Sequence, residues 1–214
     1  MPNQDQQAQF ILALRQAAVQ SQAVIDAMLT IPREAFIDPS QAHLAYEDVA
    51  LEIDEGQTIS QPSVIAKMSD ALEITKRHRV LEIGTGCGYQ CAILAKLARF
   101  VYSIERIRRL HDQANRRLLA MGIANIALNW GDGMEGWNAQ APFDRIILTA
   151  AAAKPPAILL DQLAVGGIMV YPFGETGKRQ QLIKIIKQQN GIDEILLDHV
   201  QFVPILEGRA HHGG

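Results

Sequence analysis

VLEIGTGCGYQ, residues 80–90, joins an apolar run to three closely spaced glycines, Gly84, Gly86 and Gly88. The run predicts a buried strand, and glycines at its carboxyl end let backbone N–H groups approach a ligand closely. A dinucleotide site needs the spacing G-x-G-x-x-G, whereas the third glycine comes one position early here. The loop therefore predicts a ligand crevice, and its spacing argues against NAD and against a Walker-type nucleotide site.

Strand-like runs alternate with helix-like patterns on both sides of this loop. The runs are residues 79–84, 100–105, 126–131, 143–150 and 167–174, and helices are expected from Tyr89, Ile107 and Pro156. This alternation predicts an α/β fold with a doubly wound, mostly parallel sheet. Two later runs flank Asn190-Gly191, a strong hairpin signal, so we expect the sheet to end in an antiparallel strand pair.

The chain before the loop reads as helices followed by a long connection. Apolar residues recur at helical spacing over residues 6–29, which predicts two helices. Thr30 is placed to cap a third, short helix with Pro32 in its first turn. Residues 36–60 lack clear periodicity, so we expect a long ordered loop, and such loops are usually functional. Another helix is expected after this loop, with Ser60 as its cap.

Length and charge limit the choice of function. A chain of 214 residues with 48% hydrophobic content suits one sizeable α/β domain, and a formal charge of −3 gives no basic surface for nucleic acid. No long apolar run or secretory pattern occurs, so we expect a cytoplasmic protein without membrane contact. Cys87 and Cys91 are four apart and the histidines are scattered, so we expect reduced thiols and no metal site.

Acidic residues at two strand ends describe the ligand further. Glu105 ends the strand after the glycine loop, where a carboxylate can accept hydrogen bonds from both hydroxyls of a ribose. Asp132, in the sequence Gly131-Asp-Gly133, follows the next strand and could bind an adenine amino group. An adenosine-like ligand without a diphosphate matches S-adenosylmethionine. Two structural explanations that need no ligand stay open: the glycines form only a tight strand-to-helix turn, and Asp132 forms only an Asx-turn.

The chain resembles one methyltransferase family at several motifs, in order and at about the family's spacing. The motifs are GQTISQP (56–62), VLEIGTGCGYQ (80–90), IER (104–106), GDG (131–133), APFDRIILTAAA (141–152), DQLAVGG (161–167) and FVPI (202–205). These resemble the protein-L-isoaspartate (D-aspartate) O-methyltransferases over nearly the whole chain from Ile31 to Leu206. The resemblance implies a Rossmann-like methyltransferase fold with an N-terminal helical extension.

The resemblance also implies an activity. S-adenosylmethionine methylates the free α-carboxylate of an L-isoaspartyl or D-aspartyl residue in a damaged protein or peptide, leaving S-adenosylhomocysteine. The ester collapses to a succinimide that reopens partly to aspartate, which is protein repair. Isoaspartyl proteins and peptides are the expected partners, and a monomer is expected.

The resemblance also implies roles for individual residues of this chain. Ser60 occupies the active-site serine position. The positions that correspond to cofactor binding are Glu82, Gly84, Thr85, Gly86, Cys87, Gly88, Glu105, Asp132 and Gly133. The positions that correspond to the substrate cleft are Thr58, Ile59, Ser60, Ala150, Ala151, Ala152, Val203 and Pro204. We also expect residues 202–204 to pair with a peptide main chain by strand addition, although ordinary strand-to-helix packing explains the alanines equally well.

The sequence offers no obvious general base, and the expected methyl transfer does not need one. A carboxylate nucleophile is ionised at neutral pH, so no general base is needed, and Ser60 is expected to align the substrate rather than lose its proton. Cys87, Lys154 and Phe173 depart from the family pattern. Two other functions stay open: methylation of a different peptide carboxylate, with Lys154 and Phe173 altering specificity, and a non-catalytic cofactor-binding or isoaspartyl-binding protein.

The expected organisation has three parts. Residues 1–60 form N-terminal helices and a covering loop, residues 61–207 form the S-adenosylmethionine-binding core, and residues 208–214 form a disordered tail.

Overall fold

The computed structural model describes residues 4–154, 156–175 and 177–212. Within these ranges the chain forms six α-helices and nine strands. The helices are α1 (Gln4–Gln16), α2 (Gln22–Thr30), α3 (Pro62–Ala71), α4 (Tyr89–Leu97), α5 (Arg108–Ala120) and α6 (Ala157–Gln162). The strands are β1 (Leu51–Glu52), β2 (Thr58–Ile59), β3 (Arg79–Ile83), β4 (Phe100–Glu105), β5 (Ile126–Trp130), β6 (Phe143–Leu148), β7 (Leu163–Phe173), β8 (Gln180–Gln188) and β9 (Gly191–Val200).

Seven of the strands form one sheet in the order β5-β4-β3-β6-β7-β8-β9. The pairs from β5 to β7 are parallel, whereas β8 pairs antiparallel with both β7 and β9. The strand order reverses at β3, where β4 and β6 lie on opposite sides. Such a switch point opens a crevice at the carboxyl ends of the strands, which is where the glycine loop follows β3. The predicted α/β fold, with its antiparallel end, is confirmed.

Alternate residues of the central strands enter two separate apolar clusters, one on each face of the sheet. Val80 packs with residues of α1 to α4 on one face, and Leu81 packs with Leu159 of α6 on the other. Both faces are therefore covered, as a doubly wound sheet requires. Because Phe10 and Met28 of the N-terminal helices join the first cluster, the N-terminal segment shares its core with the sheet. The expected division at residue 60 stays a prediction.

Two local expectations about the residues after α2 are wrong. Thr30 is the last residue of α2 and its hydroxyl donates to the Asp26 carbonyl, so it caps no following helix. The next turn is a 3-10 helix, Arg33–Phe36, with no side-chain cap. Residues 36–60 form a long ordered connection, as expected, and it contains two further 3-10 turns and the β1–β2 hairpin. Short elements of this kind are too brief to produce a period in the sequence.

The C-terminal segment also differs from expectation. Residues 208–212 are not a disordered tail: the Ala210 N–H donates to the Arg106 carbonyl at 2.8 Å, and the Arg108 N–H donates to the Ala210 carbonyl at 2.8 Å. The His211 ring packs on Trp130 with centroids 5.2 Å apart. Residues 213–214 of the expected tail lie outside the described residues. The segment therefore closes against the start of α5.

Candidate active site

The glycine loop between β3 and α4 has a backbone conformation that residues with a Cβ rarely adopt. Gly84, Gly86 and Gly88 have φ values of 94°, 55° and 94°, in the region that L-residues rarely adopt. A Cβ on Gly84 would lie 2.3 Å from the Thr149 hydroxyl oxygen, which donates to the Gly84 carbonyl at 2.7 Å. Gly88 is the N-cap of α4. The sequence pattern therefore encodes a tight turn at the carboxyl end of β3.

Glu105 fixes this loop from the end of β4. Its Oε2 accepts the Gly86 N–H at 2.8 Å, and its Oε1 accepts the Ile107 N–H at 2.9 Å. Burial raises the pKa of Glu105, and the hydrogen bonds from the Ile107 and Gly86 amides oppose that rise. Each carboxylate oxygen has a second acceptor site. Glu105 can thus hold the loop and still accept hydrogen bonds from a ligand in the cleft above it.

A cleft, which we call the glycine-loop cleft, opens over Glu105 and has a volume of about 260 Å³. Ile104, Ile107 and Leu110 give it an apolar wall. Its other lining residues are Gly56, Gln57, Thr58, Ile83, Gly84, Gly86, Glu105, Arg106, Gly133, Thr149, Ala150, Val203, Pro204, Ile205 and Leu206. An apolar cleft with a few directed polar groups is the usual form of a small-molecule site.

Glu82, which the resemblance assigned to cofactor binding, lies beneath the loop instead of in the cleft. It is fully buried and accepts the Ser103 hydroxyl proton at 2.5 Å, while Ser103 shares a 2.6 Å hydrogen bond with the Thr85 hydroxyl. Burial raises the pKa of Glu82 to about 8. Glu82 and Thr85 therefore support the loop through Ser103, and Glu82 lines none of the described clefts.

Asp132 is occupied by the protein backbone. Its Oδ1 accepts the Met134 N–H at 2.8 Å, which makes it the cap of the 3-10 turn Gly133–Glu135, and its Oδ2 accepts the Gly208 N–H at 2.6 Å. The Asx-turn alternative is thus present in the structure, and the expected contact to adenine stays a prediction. Gly133 does line the cleft, where an added Cβ would lie 2.3 Å from the Ile83 Cγ2.

A second depression, which we call the Ser60 groove, adjoins the cleft and has a volume of about 790 Å³. Thr58, Thr149, Val203 and Pro204 line both. Its remaining lining residues are Ala50, Ser60, Gln61, Val64, Gly177, Lys178, Arg179, His199, Val200, Gln201 and Phe202. A small cavity of about 50 Å³ beneath the two is lined in part by Ile59, Thr85 and Cys87. Two ligands can therefore meet where the cleft and the groove join.

Ser60 is held in place by its backbone. The buried Arg33 guanidinium donates to the Ser60 carbonyl at 2.9 Å and to the Val49 carbonyl at 3.2 Å, and it lies over the Tyr89 ring at 5.3 Å. Burial lowers the pKa of Arg33. The Ser60 hydroxyl, in contrast, forms no hydrogen bond with any residue that the structure describes. It is therefore available to a ligand in the groove.

The expected capping role of Ser60 is wrong. The N-cap of α3 is Gln61, and it makes no side-chain capping bond. Asp48 accepts the Ser63 N–H at 2.8 Å from outside the helix and does the work of a cap. This distant partner leaves the Ser60 side chain free.

The alanines after β6 divide between two environments. Ala150 lines the glycine-loop cleft, whereas Ala151 and Ala152 are buried. The Ala151 N–H donates to the Val203 carbonyl at 2.8 Å, and the Ala152 N–H donates to the Pro172 carbonyl at 2.9 Å. The two therefore join neighbouring segments by backbone pairing, and no described cleft has their side chains in its wall.

Strand addition to residues 202–204 finds few free main-chain groups. The Gln180 side chain occupies both the N–H and the carbonyl of Phe202, at 2.7 and 3.1 Å. The Val203 carbonyl accepts from Ala151, and Pro204 has no N–H. The Val203 N–H and the Pro204 carbonyl have no hydrogen-bond partner among the described residues, so main-chain pairing with a substrate is limited to these groups and stays a prediction.

Cys87 and Gly88 lie at the buried end of the loop. Burial raises the pKa of the Cys87 thiol, so the group stays protonated at neutral pH and is a poor nucleophile. Gly88 packs under the loop, where an added Cβ would lie 3.4 Å from Ala114 and from Leu118. Among the described residues, no group of three or more His, Cys, Asp or Glu could hold a metal ion, and no helix is long and apolar enough to cross a membrane.

Sequence reasoning missed several residues of the site. Thr149 directly follows β6, a position at a strand's carboxyl end that predicts a place in the cleft, but its hydroxyl contacts to the Ile83 and Gly84 carbonyls have no signal in the sequence. Ile107 and Leu110 follow the acidic strand end and supply the apolar wall, a signal that helix periodicity conceals. Arg33 gave no signal, because its contacts are to residues 16 and 27 positions away.

Comparisons with known proteins give one consistent result. The family model described as protein-L-isoaspartate(D-aspartate) O-methyltransferase matches residues 5–210. The chain is 48% identical over 209 residues to the protein-L-isoaspartate O-methyltransferase of Dinoroseobacter shibae, covering 98% of this chain and 97% of that protein. It is 50% identical over 207 residues to that of a Ruegeria species, covering 97% and 96%.

Solved structures agree in fold. One described as a protein-L-isoaspartate O-methyltransferase has a TM-score of 0.83 and 28% identity, covering 97% of this chain and 67% of that one. A Plasmodium falciparum structure, described as a putative member in complex with S-adenosyl-L-homocysteine, has a TM-score of 0.79 and 24% identity, covering 94% and 97%.

Proposed function

The chain belongs to the protein-L-isoaspartate(D-aspartate) O-methyltransferase family, and from this premise we propose that its glycine-loop cleft binds S-adenosylmethionine while its Ser60 groove presents the substrate carboxylate. The protein is then a repair enzyme that methylates the free α-carboxylate of L-isoaspartyl and D-aspartyl residues in damaged proteins and peptides. The observation that carries the proposal is the junction at Thr58 and Thr149, which line both the cleft and the groove.

The lining of the cleft suits an adenosyl ligand. Glu105 lies at its base with acceptor capacity to spare for two ribose hydroxyls, and Ile104, Ile107 and Leu110 offer apolar surface to an adenine ring. Gly84 and Gly86 present backbone without side chains to the same cleft. Glu105 therefore carries the cofactor assignment, with Gly84, Gly86 and Gly133 giving close approach. Thr85, Cys87 and Gly88 act by shaping the loop.

When bound, S-adenosylmethionine supplies an electrophilic methyl group on a sulfonium. The chain itself has three tasks: to hold the nucleophilic carboxylate in line with that methyl, to exclude water and to keep the carboxylate unprotonated. Alignment of this kind is worth up to about 7–11 kcal/mol in favourable cases. No base is required, because a carboxylate is ionised at neutral pH.

Ser60 is the residue proposed to align the substrate. Arg33 fixes its backbone, its hydroxyl has no partner among the described residues, and Thr58 and Ile59 precede it in β2. A hydroxyl in that position can donate to one oxygen of the α-carboxylate and turn the other toward the cleft. Val203 and Pro204 also line the groove.

The activity is tested with two peptides that differ only in having aspartate or isoaspartate at one position. Incubation with methyl-labelled S-adenosylmethionine should transfer label to the isoaspartyl peptide alone. Label in both peptides to the same extent would instead support a carboxylate methyltransferase of another specificity. Cofactor binding without label in either would support a non-catalytic binding protein.

The role of Ser60 is tested by Ser60→Ala, with Ser40→Ala as the exposed control. We expect a lower kcat with cofactor affinity and thermal stability close to those of the parent chain, since the hydroxyl holds nothing in the fold. A variant that loses stability while retaining kcat would show that Ser60 is structural.

A monomeric state, a cytoplasmic location and the absence of nucleic-acid partners belong to the same proposal. The free, buried thiols of Cys87 and Cys91 agree with a reducing compartment.

A further inference from the structure

The Ser60 groove continues into a third depression on the side away from the glycine-loop cleft. This outer groove is lined by Phe173, Gln181 and their neighbours, and it shares Lys178, Arg179 and His199 with the Ser60 groove. The three shared residues therefore line the passage from the expected reaction point toward solvent. A polypeptide whose modified residue lies at Ser60 can extend along this passage.

The passage is basic although the whole chain has a formal charge of −3. Lys178 pairs at 2.6 Å with Glu175, which also lines the outer groove, and both side chains are largely exposed. Arg179 forms no ion pair with any described residue, and neither does Lys154, which follows Ala153 in the wall of the outer groove. The acidic Asp198 pairs with Lys67 on another side. A surplus of positive charge therefore faces the passage.

The chain between His199 and Val203 sets an upper limit on the distance from this end of the passage to the reaction point. His199 pairs with Gln181 at the end of β9, and Val203, four residues further on, lines both the groove and the cleft. At about 3.3 Å per residue in extended backbone, four residues span roughly 13 Å. An extended substrate covers the same distance in about four residues.

We propose that Lys178 and Arg179, with Lys154 at the rim, form a subsite for acidic side chains about three to five residues from the isoaspartyl position. The enzyme then prefers isoaspartyl sites in acidic segments over those in neutral or basic ones. This inference rests on the proposed function. Exposed ion pairs are individually weak, so two or three of them should change KM by about 3- to 30-fold at low salt.

The test uses isoaspartyl peptides with three Glu, three Gln or three Lys residues at positions three to five, placed on either side of the isoaspartate. For the parent chain we expect KM to rise from the Glu to the Gln to the Lys peptide on one side, with the differences shrinking as salt is added. In the double variant Lys178→Gln/Arg179→Gln the ratio of the Gln to the Glu KM should fall to near one. Because each ratio is taken within one variant, partial loss of active protein does not affect it.

The control is Arg77→Gln/Arg116→Gln, which removes two exposed cations elsewhere and should retain the parent ratio. Equal KM values for the three peptides in the parent chain, or the same loss of preference in the control, would overturn the subsite. An oligothymidylate that inhibits more strongly than an oligoglutamate of equal charge would also overturn it, in favour of nucleic acid. If matched peptides with aspartate in place of isoaspartate are methylated at the same rate as the isoaspartyl peptides, the proposed function fails instead of the subsite.

Discussion

Replacing Glu105 with glutamine changes a single atom type at the base of the glycine-loop cleft. The native carboxylate accepts the Gly86 N–H at 2.8 Å and the Ile107 N–H at 2.9 Å through different oxygens. Glutamine has one oxygen and one NH₂ group, so one of the two backbone donors must face another donor. The variant therefore disturbs either the glycine loop or the start of α5 while keeping nearly the same side-chain volume.

The loss of cofactor affinity follows from the hydrogen bonds involved. A hydrogen bond to a charged group is worth about 1.5–3 kcal/mol, which corresponds to about 10- to 150-fold in the dissociation constant. Glu105→Ala should reach at least the same range. Thermal stability should change less than affinity, because removing a buried charge also removes the desolvation penalty that raises the pKa of Glu105.

Titration calorimetry with S-adenosylhomocysteine measures the effect directly, with Glu47→Gln as an exposed control. Affinity of the parent chain should fall as the pH is lowered, because the raised pKa means that Glu105 takes up a proton at a higher pH than an exposed carboxyl. Glu105→Gln should lack this dependence. An affinity within about twofold of the parent value would refute the assignment of Glu105 to the cofactor site.

Three further outcomes are expected. Gly84→Ala should unfold the site or abolish cofactor binding. Gly166 also has a positive φ, of 77°, but open space surrounds it, so Gly166→Ala should cost only about 1 kcal/mol of stability in thermal unfolding. Arg33→Lys should lower kcat more than cofactor affinity, because an ammonium cannot replace the fork that holds the Ser60 carbonyl; equal kcat for the variant and the parent chain would show that Arg33 has no such role. Glu82→Gln should flatten the pH dependence of stability: with a native pKa of about 8, the folded state keeps a proton that the unfolded state releases, so the free energy of unfolding of the parent chain falls as pH rises from about 4.5 to 8, as urea titrations across that range can measure.

The sequence was sufficient for the sheet and the position of its ligand crevice. After its first residue, the buried strand Arg79–Ile83 reads as an apolar run interrupted only by Glu82, and the glycines that follow have few alternative structures. Glu105 could be placed because it ends a strand beside the loop. These features depend on local pattern, which a single sequence displays.

The errors concern contacts between distant parts of the chain. Ser60 is not a cap because Asp48 supplies the acceptor for α3. The Asp132 carboxylate also accepts from Gly208, 76 residues later, a contact that the sequence does not reveal, while its predicted contact to adenine stays a prediction. Glu82 belongs to the same sequence motif as the glycines of the cleft, yet the Ser103 hydroxyl donates a hydrogen bond to it beneath the loop. Periodicity carries no information on such pairings, since only the folded chain brings these groups together.

The β8–β9 hairpin forms as predicted, but its turn lies one residue before the dipeptide that predicted it. Gln188 pairs with Gly191, so the two-residue loop is Gln189-Asn190, one position before the dipeptide Asn190-Gly191 that predicted it. The β8–β9 pairing is as expected, while its register depends on which faces of the strands are buried.

The most direct test of the central claim is a crystal structure of the chain with S-adenosylhomocysteine and an isoaspartyl peptide. We expect the ribose hydroxyls on Glu105, and the isoaspartyl α-carboxylate at the Ser60 hydroxyl with one oxygen turned toward the sulfur across the Thr58 and Thr149 junction. A peptide bound with its α-carboxylate away from Ser60, or a nucleoside bound outside the glycine-loop cleft, would contradict it.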